Sequence, residues 1–141
     1  MIIKQLSVFL ENKSGRLTEV TEALATAHIN ISAFSVADTA EYGILRMIVN
    51  KPEAAESMLK EKGIAVHITD VIGVIVPHEP GGLHRALKLL SSEGISVEYM
   101  YAFAMGDRAT VILRTEDPKR TVDVLQKHKM ELLKTNEIYE V

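Results

Sequence analysis

The sequence predicts an α+β fold: two tandem β-α-β-β-α-β units, each an antiparallel four-stranded sheet with both helices on one face. Three observations carry this. Sliding the 141-residue chain along itself by 66 positions sets Gly15 on Gly81, Leu17 on Leu83, Leu24 on Leu90, Ile29 on Ile95, Pro52 on Pro118, Leu59 on Leu125 and Thr69 on Thr135 without a gap. In each copy the apolar period changes between 2 and 3.6 in the same order. Each copy also opens its first helix on a glycine turn and its second on a proline. A repeat this long exceeds a solenoid unit, so each copy reads as a small domain, residues 1–70 and 71–141.

The elements follow in order. Residues 2–10 alternate, with Leu6, Val8 and Leu10 on one face, and Ile72, Val74 and Val76 repeat the pattern; both suit half-buried strands. Turns at Ser14-Gly15 and Pro80-Gly81-Gly82 lead into helices whose apolar stripes run Leu17, Val20, Leu24, Ala27 and Leu83, Ala86, Leu87, Leu90, ending near His28 and Gly94. Residues 31–38 and 42–49 form a predicted hairpin with a tight polar turn, matched by 97–105 and 108–115 around Gly106-Asp107. Pro52 and Pro118 start second helices, where a missing N–H costs nothing. Residues 66–71 and 132–141 are expected to close the copies as final strands, the first running directly into the second copy without a linker. The order is that of the split βαβ or ferredoxin-like unit, whose right-handed connections put both helices on one side. Apolar residues also fall on the other strand positions (Ile3, Phe9, Phe34, Val36, Tyr99, Tyr101, Phe103), so the sheets are expected to be covered by each other or by a second subunit of a homodimer, and the missing linker at Thr69-Asp70-Val71 predicts a rigid pair of halves.

Composition excludes several classes. Hydrophobic residues make up 47% and charged residues 25%, as in an ordinary globular chain. The formal net charge of −3 is spread evenly between halves, leaving no electrostatic footprint for nucleic acid. There is no cysteine, hence no disulfide frame or thiolate site. No signal peptide and no apolar run of the ~20 residues that span a membrane is visible, so a cytoplasmic location without membrane contact is expected. The five histidines show no ligand spacing, and neither a metal nor another cofactor is expected. The aromatic run Tyr99–Phe103 lacks the basic residues of an RNA-binding sheet and reads as core or interface.

The segment joining first strand to first helix is the place where chemistry can sit. Free N–H groups at a helix start attract a carboxylate or phosphate, so Gly15 to Leu17 and Gly81 to Leu83 are candidate anion docks. Asn12 and Asn30 bracket the first helix, and an amide both donates to a carboxylate and accepts from an ammonium group. The same residues also read simply as turn punctuation.

The run Asn12-Lys13-Ser14-Gly15-Arg16-Leu17 with His28-Ile29-Asn30-Ile31, and Pro80-Gly81-Gly82-Leu83 with Gly94-Ile95-Ser96-Val97, resembles the ACT domain, a small-molecule-binding regulatory module, twice over essentially the whole chain. The resemblance implies a free-standing tandem ACT protein that binds a free amino acid at domain interfaces and passes the result to an enzyme or regulator. It implies a site at Asn12, Ser14, Gly15, Arg16, Leu17, Asn30 and Ile31 in copy one. In copy two it implies His78, Gly81, Gly82, Leu83 and Ser96, with His78 replacing Asn12 and Ser96 replacing Asn30, so two unequal sites are expected. No nucleophile with an orienting base is present, and no enzymatic activity is expected. The rival readings are a pairing module without ligand and a small acyl-phosphate hydrolase, for which Arg16 alone is a poor candidate.

Overall fold

The computed structural model describes residues 1–11, 13–38 and 41–139. Its elements are β1 (Ile2–Glu11), α1 (Arg16–Thr26), β2 (Ile31–Asp38), β3 (Tyr42–Val49), α2 (Pro52–Glu61), β4 (Ala65–Pro77), α3 (Gly82–Ser92), β5 (Val97–Met105), β6 (Arg108–Thr115), α4 (Pro118–Lys127), β7 (Glu131–Leu132) and α5 (Thr135–Tyr139). The turn expected between β2 and β3 lies outside the described residues.

Two compact units emerge. One comprises Lys4–Thr69 with the chain from Ile138; the other comprises Met1–Ile3 with Asp70–Glu137. In the first the strand order is β2-β3-β1-β4, and in the second β5-β6-β4-β7, in both cases the order of a ferredoxin-like sheet. β1 pairs antiparallel with β3 (Leu6 opposite Met47, Val8 opposite Leu45), and β4 pairs likewise with β6 (Ile72 opposite Leu113, Val74 opposite Val111). β4 runs unbroken through Thr69-Asp70, as the missing linker leads one to expect.

Each unit has its own core, built from alternate strand positions and one helix stripe. In the first, Leu6, Val8, Leu45, Met47 and Val49 meet Val20, Ala23, Leu24, Ala55 and Leu59. In the second, Ile72, Val74, Val76, Val111 and Leu113 meet Ala86, Leu90, Ile95 and Leu125. Burial of each large aliphatic side chain is worth roughly 1.5–3 kcal/mol. The edge strand β2 departs from that pattern. Phe34 and Val36 lie opposite Met47 and Leu45, hence on the helix-facing side, yet stay 65% and 52% exposed.

All four long helices end alike. A residue of positive φ follows each C-cap (His28, Gly63, Gly94, Lys129), and the next N–H returns to the last turn: Ile29 to Leu24 O at 2.9 Å, Ile64 to Leu59 O at 3.0 Å, Ile95 to Leu90 O at 2.9 Å and Met130 to Leu125 O at 2.9 Å. This is the Schellman arrangement, which occupies carbonyls that the helix leaves without partners.

The end of the chain corrects the sequence reading. The final strand expected over 132–141 stops after Glu131–Leu132, and Thr135–Tyr139 is helical. Lys134-Thr135-Asn136-Glu137 is an uninterrupted polar run with no apolar period of 2, and Asn, Lys and Glu are depleted in strands. The Leu133 N–H still reaches the Gly73 carbonyl at 2.8 Å, after which the chain turns away. Ile138 is buried in the first unit, where its carbonyl accepts from Ser32 Oγ at 2.7 Å and the Tyr139 hydroxyl accepts from the Lys4 N–H at 2.8 Å.

Candidate functional site

Both glycine turns are built on the same backbone. Gly15 and Gly81 are the N-cap residues of α1 and α3, with φ of 89° and 88°, a left-handed conformation that glycine adopts without a Cβ penalty. The first intrahelical bonds run from Glu19 N–H to Gly15 O and from Arg85 N–H to Gly81 O, each at 3.0 Å. Neither start carries a side-chain cap, whereas at α4 Asp117 Oδ1 accepts from the Arg120 N–H at 3.2 Å. By helix geometry the N–H groups of Leu17 and Thr18, and of Leu83 and His84, precede the ladder and point outward from the positive end of the helix.

The two turns differ in their charges and walls. In the first unit Arg16 bonds Glu19 Oε2 at 3.0 Å and approaches Glu11 at 3.6 Å, while Lys13 meets Glu11 at 3.4 Å. The hydrogen bond and charge of Glu19, with a smaller contribution from Glu11, raise the Arg16 pKa above its ordinary value. A cavity of about 290 Å³ adjoins them, lined by Phe9, Glu11, Arg16, Glu19, Tyr42 and the Lys62–Ala65 segment. In the second unit a cavity of about 290 Å³ is walled by Val76, Leu83, Ala102, Ala104, Ala109 and Val111, with His78 and Glu79 at its polar side. Glu79 Oε1 also accepts from Arg85 at 2.9 Å, and the His78 N–H bonds Asp107 O at 2.8 Å.

Of the residues singled out from sequence, Ser14, Gly15, Arg16 and Leu17 come together at one turn, and His78, Gly81 and Leu83 at the other. Asn12 lies outside the described residues. Gly82 is buried, and a Cβ there would stand 2.2 Å from the Pro77 carbonyl oxygen, so its lack of a side chain serves a close backbone approach. Asn30 sits beyond the far end of α1, an 11-residue helix about 16 Å long. Its N–H bonds Asn50 Oδ1 at 3.0 Å and its carbonyl accepts from the Asn50 N–H at 3.2 Å. Ile31 packs against the first core. Ser96 likewise lies past the end of α3, in a cavity of about 570 Å³ with Glu98, Glu116, Asp117 and Arg120. Within one unit, therefore, glycine turn and Asn30 or Ser96 cannot touch the same small molecule.

Sequence reasoning missed Asn50, whose signal was its place just before the Lys51-Pro52 helix start. It also missed Ala102, Ala104 and Ala109, three small residues along one hairpin face whose size leaves the notch open. Among the described residues no group of three His, Asp or Glu side chains is placed to hold a metal ion, and no helix is long and apolar enough to cross a membrane.

A family model described as an ACT domain pair matches residues 1–141. The chain is similar to a protein of Bacteroides thetaiotaomicron, with 48% identity, a TM-score of 0.96, and coverage of 100% of this chain and 98% of that one. It is similar in fold to the ligand-free regulatory subunit of aspartate kinase from Thermus thermophilus, at 14% identity and a TM-score of 0.65 over 89% of this chain and 92% of that one. A putative C-terminal regulatory domain of aspartate kinase from Porphyromonas gingivalis follows at 13% identity and a TM-score of 0.56, covering 90% and 93% of the two chains. No curated protein matches the chain.

Proposed function

The chain belongs to the ACT domain family as an ACT domain pair, and from that premise we propose that it is a non-enzymatic regulatory protein that senses a free amino acid. The observation that carries the reading is the pair of helix starts, each opened by a left-handed glycine and left without a side-chain cap. In the second unit the outward N–H groups of Leu83 and His84 suit an α-carboxylate, Glu79 supplies an anion for the ammonium group, and the alanine-walled notch takes an aliphatic side chain. The first unit presents the same helix start with Glu11 and Arg16 beside it. Because Asn30 and Ser96 lie about 16 Å from their own glycine turns, they contact only a ligand held by a different ACT unit, which is why the site belongs at an interface between ACT domains. Ligand then favours one arrangement of paired domains by its differential affinity, and an enzyme or regulator reads that arrangement.

A calorimetric titration of the full chain with each of the twenty amino acids tests this. Binding by one or a few amino acids with aliphatic side chains is expected. Silence across the panel, with a folded protein, overturns the sensor reading and leaves a pairing module.

A further inference from the structure

The helix layers of the two units carry opposite charge at equivalent positions of the repeat. α1 and α2 hold five acidic residues against two basic ones, whereas α3 and α4 hold five basic residues against one acidic. The inversion runs position by position: Glu19 stands where the second copy has Arg85, Glu22 where it has Lys88, Glu53 where it has Lys119, and Glu61 where it has Lys127. All of these side chains are exposed. Strands and loops offset the difference, which is why the net charge of each half conceals it.

The acidic layer is also grooved. A depression of about 860 Å³ runs between α1 and α2, with Ala23, Ala27, Met58 and Ile64 as its floor and Glu19, Glu22 and Glu61, with the cation Lys62, around it. At the position of Ala23 the basic layer carries Leu89, half-buried, so a larger apolar side chain stands among the lysines where the acidic layer has a hollow. Some of the charges are engaged already: Glu19 with Arg16 at 3.0 Å and Arg85 with Glu79 at 2.9 Å. Exposed pairs of this kind are held weakly and exchange partners at small cost. Glu22, Glu61, Lys88 and Lys127 have no ion-pair partner among the described residues.

We propose that the acidic α1/α2 layer of one copy docks on the basic α3/α4 layer of a second copy of this chain. The matching basic set lies in the same polypeptide, on a helix pair descended from the same template, so its spacing already fits. Each layer is predominantly of one sign, so opposite charges meet across the contact without a finely tuned register, and like layers repel each other, which disfavours the wrong pairing. The proposal is independent of whether an amino acid binds.

Two variants of the full chain test it, Glu22→Lys with Glu61→Lys and Lys88→Glu with Lys127→Glu, each checked for fold by circular dichroism. Sedimentation of the wild type is expected to show self-association at low salt, about 0.05 M, that weakens at about 0.5 M, where screening shortens to a few ångströms. Each variant alone is expected to self-associate at least about tenfold more weakly, since loss of several charge pairs amounts to that factor or more. Mixed at equal concentration, the two variants present complementary layers again and are expected to form a mixed complex. A misfolded variant would not regain its partner, so the mixture separates loss of charge from loss of fold. A dimer that both variants keep at every salt concentration leaves self-pairing in place and overturns this surface, and a monomeric wild type at low salt overturns both.

Discussion

A Cβ on Gly82 would stand 2.2 Å from the carbonyl oxygen of Pro77 and 3.3 Å from its carbon. Neither atom can withdraw like the end of a flexible side chain, because both belong to the strand end that enters the turn. Gly82→Ala is therefore expected to destabilise the second unit by about 1–3 kcal/mol, the range for forced overpacking. At Gly15 nothing lies within 4 Å, so Gly15→Ala meets only the left-handed backbone penalty of roughly 1–2 kcal/mol. Urea unfolding of the two variants checks the contrast; it fails if Gly82→Ala is neutral.

The repeat supplies its own control at the helix ends. His28 and Lys129 hold φ of 57° and 59°, while the other two helices place Gly63 and Gly94 in that conformation. His28→Gly gives α1 the residue that α3 already has, and is expected to stabilise by about 0.5–1 kcal/mol because the left-handed strain disappears. A thermal scan reads the effect, and a lowered melting temperature contradicts it.

Thr115 and Thr121 form a buried hydroxyl pair at 2.7 Å, and Thr121 also donates to the Asp117 carbonyl at 3.0 Å. The first copy carries Val49 and Ala55 at these positions. Thr121→Ala alone leaves the Thr115 hydroxyl buried without its partner and is expected to cost about 1–3 kcal/mol. Adding Thr115→Val transplants the apolar pair of the first copy and is expected to recover part of that loss. A double-mutant cycle measures the coupling, and strict additivity argues against the pair.

Ile138 is 3% exposed and packed within the unit of Lys4–Thr69. Ile138→Ala is expected to destabilise that unit by roughly 2–4 kcal/mol, and Tyr139→Phe by about 1 kcal/mol through loss of the bond to the Lys4 N–H. Hydrogen exchange that loosens around β1 and β2 supports this; exchange unchanged there contradicts it.

What was legible in the sequence divides along physical lines. Alternation on β1 and β4, glycine at 15 and 81 and proline at 52 and 118 are local signals, and each element they mark is present. The final strand of the second copy was misread because Leu132 and Leu133 are apolar and pair with β4, while the polar run Lys134–Glu137 that follows leaves the sheet and starts a helix. The glycine-opened helix starts could be seen from Gly15 and Gly81 alone. The place of Asn30 past the end of α1 was legible too, since that helix was expected to end near His28; the notch beside Leu83 was not, because it depends on Ala102 and Ala109 from a hairpin twenty or so residues later in the chain. The packing role of Gly82 was not legible either, because the close approach of the Pro77 carbonyl to it is a contact that no local pattern marks.

The central claim is that an amino acid docks on these helix starts, and a thermal-shift series with the twenty amino acids on wild type and Ala102→Phe tests it most directly. For the wild type, the right amino acid at about 100 times its Kd is predicted to add about 2.7 kcal/mol of stability. Ala102 is exposed in the notch, so Ala102→Phe is predicted to keep the unliganded stability within about 0.5 kcal/mol while losing the response of the second unit. No stabilisation of the wild type by any amino acid, or a response in Ala102→Phe equal to that of the wild type, would contradict the account.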